Sequence, residues 1–137
     1  MRVVLDTNIL ISSLLFQKQL GRFETMIKQG VITPCFIMTT FKEFQNVLQY
    51  EKFQNAFHTA DITAQQIIEA LISKSLIFAD PPKITHVVTD EPDNFILAAG
   101  LAAKVSYIIT GDGLLLALNN FQNIPIVSPR LFLAVVE

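Results

Sequence analysis

Four acidic residues fall where a fold could collect them for chemistry: Asp6, Glu43, Asp93 and Asp112. Asp6 directly follows the apolar run Val3-Val4-Leu5, and Asp112 follows Tyr107-Ile108-Ile109-Thr110 after a single glycine. Asp93 comes just after Pro92, and Glu43 lies among Ile37, Phe41, Phe44 and Leu48, whose spacing is helical. Gathering such acids without a counterion is costly, because two like charges about 4 Å apart repel by about 4 kcal/mol at an effective dielectric near 20. A divalent cation removes that cost. Hard oxygen donors with few imidazoles or thiols favour Mg²⁺ or Mn²⁺ over Zn²⁺. Acids around such ions suit phosphodiester hydrolysis, with water activated on one side and the leaving oxygen stabilised on the other.

Taken singly, each acid has an ordinary reading as well. Asp6 can cap the helix after it. Asp93 can favour the positive end of its own helix. Glu43 can belong to a solvated helix face, and Asp112 between two glycines can be a turn residue. Only their combination and order raise the chemical reading above these.

The elements that must position the acids follow from pattern. Arg2 to Leu5 reads as a short buried strand, and Asn8 to Phe16 as a buried helix. Arg22 to Lys28 reads as a helix stopped at Gly30, and Val31 to Thr33 as a strand interrupted by Pro34. Ile37 to Leu48 is a helical stripe, followed from Tyr50 to His58 by a polar, aromatic linking segment. Thr63 and Gln66 form a capping box for a helix reaching Ser73. Leu76 to Phe78 is a strand, and Pro81-Pro82 breaks the chain. Pro92 opens a helix to about Lys104, then Tyr107 to Thr110 is a strand, and a short helix starts at Leu114. Pro125 to Val127 is the last strand and Leu131 to Val135 a last helical turn. Strands alternating with helices predict a three-layer α/β/α fold with a central, mainly parallel sheet. In such sheets ligands bind beyond the carboxyl ends of the strands, where Asp6 and Asp112 fall.

A chain of 137 residues fits one domain over 1–137. Half the residues are hydrophobic, 51%, against 16% charged, which excludes a disordered chain. The 11 Phe suggest more apolar surface than one small core needs, hence a homodimer. Polar residues break every apolar stretch well short of the roughly 20 residues a bilayer requires. Asp6 and Asn8 likewise interrupt the N-terminal run, against a signal peptide. The lone Cys35 excludes an internal disulfide framework and fits a cytoplasmic protein. A net charge of −2 runs against a nucleic-acid surface, but bound cations would invert the local field.

The opening Val3-Val4-Leu5-Asp6-Thr7-Asn8 resembles the first motif of the PIN-domain family, a buried strand ending in Asp-x-Asn. Asp93-Asn94-Phe95-Ile96-Leu97-Ala98-Ala99 is similar to the family's third-acid helix. Tyr107-Ile108-Ile109-Thr110-Gly111-Asp112 is similar to its Thr-Gly-Asp motif, and Glu43 lies at the second-acid position. Ile126-Val127-Ser128-Pro129 with Phe132-Leu133 resembles the end of the branch of toxin–antitoxin toxins, so the likeness spans essentially the whole chain. The resemblance implies a ribonuclease dependent on Mg²⁺ or Mn²⁺, with Asp6, Glu43, Asp93 and Asp112 as catalytic metal ligands. It implies supporting roles for Asn8 and Thr110 in orienting ligands or water, and products with a 5′-phosphate and a 3′-hydroxyl. Its implied partners are an RNA substrate and a small antitoxin protein. Two departures stand out. Leu114 replaces an acid that the family often carries two residues after the Thr-Gly-Asp aspartate, which bears on a second metal, and Asp90 rivals Asp93 for the third position.

Rival readings have less behind them. His58 and His86 are not paired by anything in the sequence, and no elbow motif supports a Ser or Cys nucleophile. A receiver-type signalling domain would need an acidic pair after its first strand and a Lys after its last, where Ser128-Pro129 stands here. A PIN domain that grips RNA or protein without cutting is the remaining alternative. For substrate contact the candidates are Lys18, Arg22, Lys42, Lys52, Lys104 and Arg130, with Tyr50, Phe53 and Phe57 for stacking or partner docking.

Overall fold

The first strand, β1 (Arg2–Leu5), is short because its apolar run ends at Asp6, and α1 (Thr7–Leu15) begins at once. The computed structural model describes residues 1–15 and 21–136, so the expected helix end at Phe16 and the position of Lys18 lie outside the described residues. α2 (Gly21–Lys28) is followed by Gly30 with φ of 74°, a left-handed conformation that glycine adopts without strain. β2 (Thr33–Ile37) runs directly into α3 (Met38–Val47). Thr40 closes that junction, its Oγ1 accepting from the Ile37 amide at 3.0 Å.

Next come α4 (Glu51–Ala60), α5 (Ala64–Ile72), β3 (Leu76–Phe78) and α6 (Glu91–Ala103). β4 (Tyr107–Ile109), α7 (Gly113–Ala117), β5 (Asn120–Phe121), β6 (Ile124–Val127) and α8 (Pro129–Val136) complete the chain. The Thr63–Gln66 capping box starts α5 as the sequence predicts: Thr63 Oγ1 accepts from the Gln66 amide at 3.1 Å, and Gln66 Oε1 from the Thr63 amide at 2.9 Å.

Three expectations are corrected. Pro34 lies inside β2 instead of ending a strand before it. Thr33 donates its amide to Met1 O, so by alternation the nitrogen of Pro34 faces the other side. There β3 pairs only from Cys35 onward, and no donor is missed at Pro34. The segment expected to link Tyr50 to His58 is the helix α4, with Phe53 and Phe57 one turn apart and buried in the core. Those two rings are therefore not available for stacking bases or docking a partner. β5 was absent from the pattern, being two residues long and defined by its antiparallel pairing with β6.

The strand order is β3-β2-β1-β4-β6-β5, parallel except at β5. Helices cover both faces, giving the three-layer α/β/α arrangement. Val3, Leu5, Phe36, Ile109 and Val127 enter one core with α1 to α5 and α8. Val4, Cys35, Ile37, Ile108 and Ile126 enter the other, under α6 and α7. From β1 the chain builds outward through β2 and β3, then crosses by α6 to β4 on the opposite side of β1. The gap beyond the ends of β1 and β4 is the topological switch point, where open α/β sheets bind ligands. No helix among the described residues is long and apolar enough to cross a membrane.

Candidate functional site

Asp6 and Thr110 are brought side by side by the pairing of β1 with β4, which matches Leu5 to Ile109 just before them. The Asp6 amide continues the ladder by donating to Ile109 O at 2.9 Å, and the Thr110 amide donates to Val127 O at 3.0 Å. Thr110 is fully buried, and its hydroxyl has two partners: it donates to Asp6 Oδ2 at 2.8 Å and accepts from the Asp112 amide at 3.0 Å. One threonine thus orients both strand-end acids. Asp6 also occupies the start of α1, its backbone oxygen accepting from Leu10 at 3.0 Å. Asp112 is the N-cap of α7, with Oδ2 accepting from the Leu115 amide at 3.0 Å. An ordinary structural role, as the cap of α7, therefore stands alongside any chemical one.

Asp93 lies in the first turn of α6 and is only 8% exposed. Its Oδ2 is buried without a hydrogen-bond partner, a costly state for a carboxylate. Burial raises its pKa to about 7, helped by a hydrogen bond with Asp112 and by the negative charges of Asp112, Asp90 and Asp6. Glu43, partly buried on α3, also holds its proton more tightly than usual, through burial and then the charges of Asp6 and Asp90. The four expected acids therefore share one field at the switch point, and Asp90 shares it with them. Contact is looser than the field: among the described residues, no three His, Cys, Asp or Glu side chains form a ready cation cage. Asn8 is exposed on the first turn of α1, and Leu114 is half exposed beside Asp112.

Two contributors escape a reading of sequence. Asp80 accepts from the Thr39 amide at 2.9 Å and from the Thr39 hydroxyl, fastening the first turn of the helix that carries Glu43. Those bonds, the hydroxyl's first, hold the Asp80 carboxyl below its ordinary range. Asn94, 1% exposed, binds the backbone of residues 87 and 88. Its only local signal is an amide side chain where the acidic first turn of α6 gives way to an apolar run. Of the basic candidates, Lys52 lies over the ring of Phe53, 5.0 Å from its centroid, and Lys104 is the left-handed C-cap of α6.

A family model described as PIN domain matches residues 2–113. Among solved structures the chain is similar to a crystal structure of VapBC2 from Rickettsia felis bound to a DNA fragment from their promoter. The TM-score is 0.61 at 14% identity, over 93% of this chain and 98% of that one, a likeness of fold. No curated protein matches the chain.

Proposed function

From the premise that the chain belongs to the PIN domain family, we propose that it is a divalent-metal-dependent endoribonuclease hydrolysing phosphodiester bonds in RNA. The observation that carries the reading is the buried, unpartnered Oδ2 of Asp93, facing the charges of Asp112, Asp90 and Asp6 at the switch point. Proteins rarely leave a buried carboxylate oxygen orphaned among like charges unless a ligand completes it. The donor chemistry fits a hard cation, since every candidate ligand is a carboxylate oxygen. Asp6, Glu43, Asp93 and Asp112 would hold Mg²⁺ or Mn²⁺. Such a cation, when bound, lowers the pKa of water and neutralises charge developing on the phosphate.

The chain's own residues do the rest. Thr110 fixes Asp6 and the Asp112 backbone in one orientation through its hydroxyl. Leu115 holds one oxygen of Asp112, leaving the carboxylate aimed from a fixed cap. Asp93, with its pKa raised to about 7, must be deprotonated to ligate, which makes cation binding proton-linked near neutral pH. Asn8, exposed at the start of α1, is assigned to orienting a ligand or water.

We assign RNA as substrate and a small antitoxin protein as partner, the latter on the likeness to the VapBC2 structure. The protein is read as one domain acting in the cytoplasm. A homodimer is favoured by Leu131 and Val135, half exposed or more on α8. The absence of a ready three-acid cage among the described residues favours a second reading, a PIN domain that binds RNA or protein without cutting. Labelled single-stranded RNA incubated with Mn²⁺, Mg²⁺ or chelator separates the two. The nuclease reading expects cuts only with metal, leaving 5′-phosphate and 3′-hydroxyl ends. Well-folded protein that shifts the RNA on a gel but never cuts it would replace that reading with the second.

A further inference from the structure

Between β3 and α6 the chain runs through residues 79–90 without helix or strand. The last part of this strap is fixed by one buried side chain. Asn94 Oδ1 accepts from the amides of Val87 at 2.8 Å and Val88 at 3.0 Å, while Nδ2 donates to Val88 O at 2.9 Å. An amide side chain is suited to this, offering an acceptor and donors in one plane. Two residues beyond Val88 stands Asp90, the N-cap of α6. An N-cap aspartate ordinarily spends its carboxylate on the helix's first free amides, yet Asp90 makes no such bond. Asp90 and Asp93 are the N-cap and the third residue of α6, positions that share the helix's first turn, and the charge of Asp90 reaches both Asp93 and Glu43 of α3. The orphaned Oδ2 of Asp93, more than nine-tenths buried, independently marks the place those charges face as one that takes a ligand.

We propose that Asn94 is a positioning residue: by pinning Val87 and Val88 it holds the strap so that Asp90 stands as a further carboxylate at the cation-binding acids. This rests on the nuclease reading and adds a fifth acid, together with the device that places it. Asn94 touches neither cation nor RNA and acts only through Asp90.

The test is Mn²⁺ affinity by calorimetry on wild type, Asp90→Asn, Asn94→Ala and the double variant, each checked for fold by circular dichroism. Residues that support a metal's ligands typically account for about 10–100-fold in affinity. Both single variants are expected to lose about tenfold or more on that scale, and the double variant no more than the worse single, because both act on one group. A purely structural role for Asn94 would lower stability while leaving affinity intact, or would add its loss to that of Asp90→Asn. Either result overturns the proposal. Should Asn94→Ala fail to fold, Val87→Pro breaks the same link from the strap, removing one of the two donated amides. Wild-type Mn²⁺ affinity in that folded variant overturns the proposal equally. Wild type that binds no Mn²⁺ removes this proposal and the nuclease reading together, whereas binding unchanged in the variants removes this one alone.

Discussion

Alternate residues of the central strands enter two cores of unlike construction. On one side Phe36, Phe41 and Phe44 meet ring to ring, with centroids 5.3 to 6.3 Å apart, and Phe23 stacks on Phe132 at 5.8 Å. Helices α1 to α5 and α8 cover this aromatic mass. On the other side α6 does most of the covering, and it lies close. A Cβ at Gly100 would stand 2.8 Å from Ile108 Cδ1, so the helix sits close enough to β4 that any larger residue there requires the Ile108 side chain to move. The thick face supplies bulk hydrophobic stabilisation. The thin face fixes the placement of α6, whose first turn carries Asp93 and Asn94. Bulk stability and the placement of Asp93 are thus separated across the sheet, and variants of α2 and of α6 should fail differently.

The largest effect is expected on the thick side. Phe23→Ala empties a fully buried site stacked against Phe132 and should cost about 3–5 kcal/mol, read by denaturant unfolding. Its Mn²⁺ affinity, measured where the variant remains folded, should stay near wild type, since α2 carries none of the proposed ligands. A large loss of affinity there would break the separation.

Asp93→Asn should act in the opposite direction. The folded pKa of Asp93 is raised from 3.8 to about 7, so between those values the native state binds more protons than the unfolded state. Stability then falls as pH rises through that window and stays level above it. Removing the charge should stabilise the metal-free protein by on the order of 2–4 kcal/mol at pH 8, and by almost nothing at pH 4. Melting temperatures in chelator across pH 4 to 8 check this. A variant less stable than wild type at pH 8 would show that Asp93 has a stabilising partner.

Gly100→Ala should cost less, about 1–3 kcal/mol of overpacking, partly offset by about 1 kcal/mol of helix propensity. Ile108→Val, which deletes the clashing Cδ1, should restore most of the loss in the double variant. If the separation of roles is right, Gly100→Ala also weakens Mn²⁺ binding more than its stability cost would suggest.

Much of this architecture was legible in the sequence because it is local. The helical stripe from Ile37 to Leu48, the Thr63–Gln66 capping box and the proline opening α6 each lie within a few residues. The strand ends at Asp6 and Thr110 were legible for the same reason. What stayed hidden depended on distant partners. Pro34 fits a strand only because β3 starts one residue later, and β5 exists only against β6. α4 hid its face because Phe53 and Phe57 are its only large apolar residues, leaving a sparse apolar stripe. At the site the acid types could be read. The bond from Thr110 to Asp6, across 104 positions, and the Asp80 clamp on Thr39 could not. Nor does sequence reveal that the acids share a field without forming a closed cage.

The central claim is that the strand-end acids at the switch point hold a cation for phosphodiester hydrolysis. Its most direct test is single-turnover cleavage of labelled single-stranded RNA in Mn²⁺ by wild type and Asp6→Asn, with chelator as the blank. The asparagine keeps an oxygen for the Thr110 hydroxyl but loses the charge, so the fold should survive. The account predicts a fall in rate of at least about 100-fold, roughly 3 kcal/mol of transition-state stabilisation. Cleavage by Asp6→Asn at the wild-type rate, or cleavage by wild type that persists in chelator, would contradict it.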